Sequence, residues 1–167
     1  MDHTLVIDKV GRLFAGGNNK FGQLGISLKL ESGKGYDHVM PFDGTQIKLK
    51  DAQGGMNFSV LLTEKGDVYS SGMAEHGRLG LGKINGQSIS EFRKLEHFYS
   101  KKDGPIRVEQ ICVGGKNVLA WTDKEYMEIG PNDSVAVNSL YAWGSNTYRE
   151  CGLGYKESEH VFEPRKI

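Results

Sequence analysis

Gly82-Lys83 and Gly115-Lys116 are the stretches nearest to a phosphate-binding pattern in this chain. Neither lysine is followed by Ser or Thr, so the hydroxyl that a P-loop needs for its metal is missing. No dinucleotide fingerprint opens a helix. His3, His38, His76, His97 and His160 are scattered, with neither the H-x-x-x-H nor the H-E-x-x-H spacing of a metal site. Ser59, Thr63 and Ser70 lie in apolar runs with no base in sequence reach, and no G-x-S-x-G elbow is present. The acidic residues form no pair suited to acid and base roles. Cys112 and Cys151 lack the CxxC spacing, and Cys112 sits in an apolar run, which is read as a buried, inert thiol. The sequence therefore names no catalytic residue, no cofactor ligand and no metal ligand.

The glycines follow a rule. Gly17, Gly22 and Gly25 recur as Gly72, Gly77 and Gly80, and the outer pair recurs as Gly144 and Gly152. Each set lies behind a short apolar run. His3–Ala15 lies over Phe58–Ser70 at an offset of 55, and each unit reads strand, polar turn, strand, glycine loop. A fixed period of this kind names an architecture before any local motif does. The glycines are assigned structural roles, in loops that turn with positive φ or let two backbones meet.

These residues resemble the repeat of the RCC1 (regulator of chromosome condensation) family. Asn19 and Asn146 fit its asparagine, Gln23-Leu24-Gly25 its ending, Gly54-Gly55 and Gly114-Gly115 its paired glycines, and Trp143-Gly144 its Trp-Gly pair. The third copy departs at Arg149 and Cys151, where the others carry Gly and Leu. The resemblance implies an all-β fold: a partial RCC1-like β-propeller of about three four-stranded antiparallel blades. The family's ring has about seven blades, so three repeats are under half of one. The units are drawn at about 1–46, 47–105 and 106–167 of one repeat domain. The first strand starts mid-blade, and Val161–Ile167 is read as opening a further repeat. Both ends then leave open strand edges.

Composition narrows the partners. Lys plus Arg equals Asp plus Glu, 21 each, which gives no net-charge case for nucleic acid. No apolar run reaches the roughly eighteen residues of a membrane span. The start lacks the basic and apolar regions of a secretory signal, so an intracellular site is expected, with no compartment specified.

Three stretches decorate the repeats. Ile26–Gln46 is polar and long. Ser88–Tyr99 places Ile89, Phe92 and Leu95 at helical spacing, with Ser88 and Glu91 as a capping box, and is expected to form one short helix. Lys124–Ser139 is an insertion of about twelve residues at a hairpin tip, the offset to the second copy rising from 60 to 72. Candidate partner contacts are Phe92 and Leu95 on the helix and Glu125, Glu128 and Asp133 on the insertion. Function is expected to be non-catalytic: a scaffold or interaction subunit bound to other proteins, including a chain that completes the ring. The alternative from the resemblance is a guanine-nucleotide exchange regulator of a small GTPase. A three-blade arc exposes apolar faces, so the chain is expected to be stable only when docked on another subunit or a second copy.

Overall fold

A computed structural model describes residues 2–26, 37–39, 47–100, 104–123, 125–130, 133–154 and 158–167. Short apolar runs become strands, and Gly or Asp turns fold each run onto the next. In the first blade β1 (His3–Ile7), β2 (Leu13–Gly17) and β3 (Asp37–Val39) pair in that order. The second blade holds β4 (Leu49–Gly54), β5 (Phe58–Thr63), β6 (Val68–Met73) and β7 (Ser88–Lys94). A two-stranded ribbon of β8 (Tyr99–Ser100) and β9 (Gly104–Pro105) leads on. The third blade holds β10 (Val108–Val113) and β11 (Asn117–Thr122). The hairpin of β12 (Glu125–Gly130) and β13 (Asp133–Val137) then interrupts it, and β14 (Leu140–Ser145) and β15 (His160–Lys166) complete it. All pairings are antiparallel. The fold is thus all-β, built of antiparallel sheets of three and four strands with two short ribbons. No helix among the described residues is long and apolar enough to cross a membrane.

Side-chain alternation sorts the blades into a stack. On β5, Leu61 faces a core shared with the first blade, and Val60 and Leu62 face a core shared with the third. Every residue of β5 is therefore buried, which is why this run is continuously apolar rather than alternating. On β11, by contrast, Val118, Ala120 and Thr122 are buried while Trp121 is exposed.

The structure corrects five expectations. Ser88–Tyr99 is not an α-helix but β7 followed by a single 3-10 turn at Glu96–Phe98. The helical spacing comes from a bulge: Gly72 pairs Ile89 and Ser70 pairs Arg93, so two extra residues are accommodated on β7. Ile89 and Leu95 enter the second core and Phe92 the first, on opposite faces of the sheet rather than along one helical stripe. Phe92 and Leu95 are buried and are withdrawn as partner contacts. Val161–Ile167 does not open a further repeat; most of it lies in β15, the fourth strand of the third blade, with the same bulge as β7. Cys112 is exposed, because alternation on β10 sends Ile111 inward and Cys112 outward. The hairpin insertion is also one residue longer than the sequence offset gave. Gly55 donates to Phe58 O and Gly114 to Asn117 O, which aligns Gly55 with Gly114 rather than Gly115. Of the Ile26–Gln46 stretch, only Ile26 and 37–39 lie within the described residues.

The two cysteines make a simple check on this placement. Burial, with Glu150 beside it, pushes the Cys151 thiol up to about 11, and its sulfur contacts Ser145 O. Alkylation of the native protein at neutral pH, read by mass spectrometry, is expected to modify Cys112 promptly and Cys151 only after unfolding.

Candidate interaction site

The glycine loops join each blade to its neighbour. In the first loop Asn19 Oδ1 accepts from Leu24 N at 3.0 Å and its Nδ2 donates to Ile26 O at 3.3 Å. Asn146 repeats this in the third loop, accepting from Cys151 N at 3.2 Å and donating to Ser158 O at 3.1 Å. The second loop has Ala74 at that position and is held differently. There the buried Arg78 guanidinium donates to Glu75 O and Met56 O, both at 2.8 Å, and to His76 Nδ1 at 2.9 Å. Guanidinium has only donors, so His76 Nδ1 accepts and the ring is neutral. The His160 ring stands edge-on to His76, 4.6 Å between centroids.

The sequence-chosen glycines fall into three positions. Gly17, Gly72 and Gly144 pass so close to the backbone of Asp2, Asn57 and Lys116 that a Cβ would overlap it. Gly22 and Gly77, at φ 78° and 74°, lie under the outer strand of the next blade, against Ser90 and Val161 respectively. Gly25 lies under the Phe92 ring, and Gly80 under Leu95 and the Trp143 indole. Among the described residues, a Cβ at Gly152 would meet Ile167 at 3.7 Å. Trp143 is fully buried, and its Nε1 donates to Arg78 O at 3.2 Å, tying the third blade to the second loop. That tie was not legible in the sequence, because Gly16 and Ser71 stand in the Trp position of the other copies.

One pair of catalytic residue types does meet. His3 Nε2 lies 2.8 Å from Ser59 Oγ. Ser59 is fully buried and spends its proton on Gln23 O at 2.6 Å, so the hydroxyl is a blade-to-blade tie and not an open nucleophile. Sequence reading missed it because the partners are 56 residues apart. Among the described residues no three His, Cys, Asp or Glu side chains converge as a metal site.

Among the described residues, five of the nine exposed large apolar side chains, Trp121, Ile129, Val135, Tyr148 and Ile167, belong to the third blade and its loops, and Val6, Val10, Met56 and Tyr99 lie elsewhere. Ile129 and Val135 on the hairpin are 61% and 43% exposed, and Trp121 on β11 is 43% exposed. Asp133 is exposed at the start of β13; Glu125 and Glu128 lie on β12, and their side chains fall outside the described residues. Gln110, Ile111, Cys112, Leu119, Trp121 and Leu140 line a groove of about 310 Å³ on the outward face of the blade.

Histidine burial gives the fold a pH dependence. His3, His76 and His97 are each held below the ordinary imidazole value, chiefly by burial; for His76 the nearby His160, Arg78 and Lys116 charges add to this. The unfolded chain then binds protons first as pH falls below about 6.5, and stability falls with it until the folded-state values are passed. Thermal midpoints are expected to be level above neutrality and to drop as pH falls below about 6.5. His76→Asn, which keeps an acceptor for Arg78 but does not titrate, is expected to flatten part of that slope.

Comparison with known proteins places these blades. The repeat family described as "Regulator of chromosome condensation (RCC1) repeat" matches residues 138–167. Protein RCC2 of Homo sapiens is 28% identical over 173 aligned residues, covering 99% of this chain and 32% of that protein. The crystal structure of human WBSCR16 superimposes with a TM-score of 0.71 at 27% identity, over 99% of this chain and 37% of the other. Prp20p of Saccharomyces cerevisiae gives a TM-score of 0.73 at 20% identity, over 99% and 36%, and shares the fold. The chain spans about a third of the length of these relatives.

Proposed function

We propose that this chain, an array of RCC1-like repeats, is a non-catalytic interaction module that serves as a scaffold segment of a larger protein assembly. The observation that carries the reading is where the exposed apolar groups stand. Ile129, Val135 and Trp121 lie on the hairpin insertion and the outward face of one blade, while the glycine loops and the His3–Ser59 pair are taken up in holding blades together. Exposed apolar groups on a rigid repeat scaffold are the usual form of a protein-binding surface. The three units act as one domain in this reading, within the cell, and the repeat glycines are structural. Asp133, Glu125 and Glu128 set the charge of the contact arm.

A second reading, regulation of a small GTPase by nucleotide exchange, is favoured by a specific kind of observation: the β12–β13 hairpin projects beyond the blade as a wedge would. Prp20p, alike in fold, is described by its binding to Gsp1p and histones.

The interaction reading is tested with a photo-crosslinking amino acid at Ile129 in cells. Protein adducts are expected there and not at Val10, which is exposed at the tip of an unextended hairpin. Equal adduct yields at both positions, or none at either, would sink it.

A further inference from the structure

The second glycine loop and the last strand of the third blade enclose a cleft beside their contact. Gly82 N donates to Phe162 O at 2.9 Å, which ties the loop to β15. Gly77 lies under Val161, and the His76 ring stands edge-on to His160 at 4.6 Å between centroids. Both walls therefore belong to a junction made within this chain. The cleft holds about 540 Å³, with Lys83 on the loop side and Ser158, His160, Phe162, Glu163 and Arg165 on the strand side.

The cations of this cleft differ from those paired elsewhere. Arg12, Lys50, Lys94 and Arg107 each hold a carboxylate, at 2.6, 2.7, 2.7 and 2.9 Å. Among the described residues Lys83 and Arg165 hold none, although Glu163 lines the same cleft. The Lys83 ammonium rests over the Phe162 ring, 5.6 Å from its centroid. The His160 ring stands edge-on to Phe162 at 6.3 Å, and its Nδ1 donates to Glu159 O at 2.6 Å. Ser158 spends its hydroxyl proton on His160 O at 2.5 Å. What stays uncommitted is one guanidinium and one ammonium, carried on two elements that the backbone ties together.

We infer that this cleft binds a phosphate monoester, held by Arg165 and Lys83. The guanidinium presents a planar pair of N–H donors to two phosphate oxygens, and the ammonium serves the third. A carboxylate would fill the arginine fork alone and leave Lys83 unmatched. The lining runs along β15 from the residues before it to Arg165, farther than a phosphate group reaches, so the cleft also takes part of the group that bears the phosphate. Glu163 repels the anion and keeps the binding weak. The cleft is separate from the Ile129 arm, so either site can fail its test without the other.

Titration of the isotope-labelled full chain with inorganic phosphate, followed by amide correlation spectra at constant ionic strength, tests this. Saturable shifts are expected at the amides of Gly82, Lys83 and residues 160–163, with a Kd of about 1 mM, and chloride is expected to cause none. Arg165→Gln and Lys83→Gln, both at exposed positions, are each expected to weaken binding roughly tenfold. Glu163→Gln is expected to strengthen it roughly threefold. A short alanine peptide carrying one phosphoserine, with its unphosphorylated twin as control, identifies the bearer. Tighter binding of the phosphopeptide than of inorganic phosphate supports the inference and assigns the cleft to a phosphorylated protein segment. Equal binding supports it too and assigns the cleft to small phosphates. No saturable shift with either probe overturns the inference, and so do shifts that persist when Lys83 and Arg165 are both replaced by Gln.

Discussion

Trp143→Ala is expected to lower the unfolding free energy by about 3–5 kcal/mol, the range for removing a large buried aromatic side chain. The indole is wholly buried, packs edge-on to Phe98 at 6.1 Å between centroids, and lies on the face of Gly80. Its removal opens a cavity between the second and third blades. It also strips Arg78 O of the donor at 3.2 Å, in the loop where the guanidinium of the same residue holds three other groups. A buried acceptor left without a partner costs about 1–3 kcal/mol more unless a water enters. Denaturant titration followed by tryptophan-independent circular dichroism gives the value. A loss below about 1 kcal/mol would mean that the blades do not meet at this residue.

Gly77→Val is expected to cost at least about 3 kcal/mol, from two causes that add. The residue sits at φ 74°, where a β-branched side chain is strained. A Cβ there would also overlap the Val161 carbonyl and force β15 outward. The third loop supplies an internal comparison. Arg149 holds the same conformation at φ 66° with a side chain in place. The close approach, more than the backbone angle, is therefore what makes Gly77 irreplaceable. Gly77→Val that melts like wild type would refute the structural assignment of the repeat glycines.

Much of this was legible in the sequence, for a physical reason. A repeat writes its strands and turns several times, so Gly17, Gly72 and Gly144 announce the loop even where the intervening residues differ. The apolar run at Phe58–Thr63 announced a strand, and the structure buries both its faces. The failures share a cause too. Period 2 interrupted by a bulge mimics period 3.6, so Ile89, Phe92 and Leu95 read as a helix although they point to opposite faces of β7. The offset of 60 was one residue off at Gly114, and a one-residue slip on a strand exchanges its two faces, so the offset gave no guide to the exposed side of Trp121. Contacts between blades carry no local signal at all. Nothing near Ser59 in sequence foretells His3, and nothing near Arg78 foretells Trp143.

The central claim is that this chain works by binding and does not itself catalyse, nucleotide exchange included. Stopped-flow release of a fluorescent guanine nucleotide from a Ran-type GTPase decides it most directly. The full chain in excess is expected to leave the release rate at its intrinsic value, and removal of residues 125–137 to make no difference. Acceleration by the intact chain that disappears with the hairpin would contradict the claim and make the chain an exchange factor.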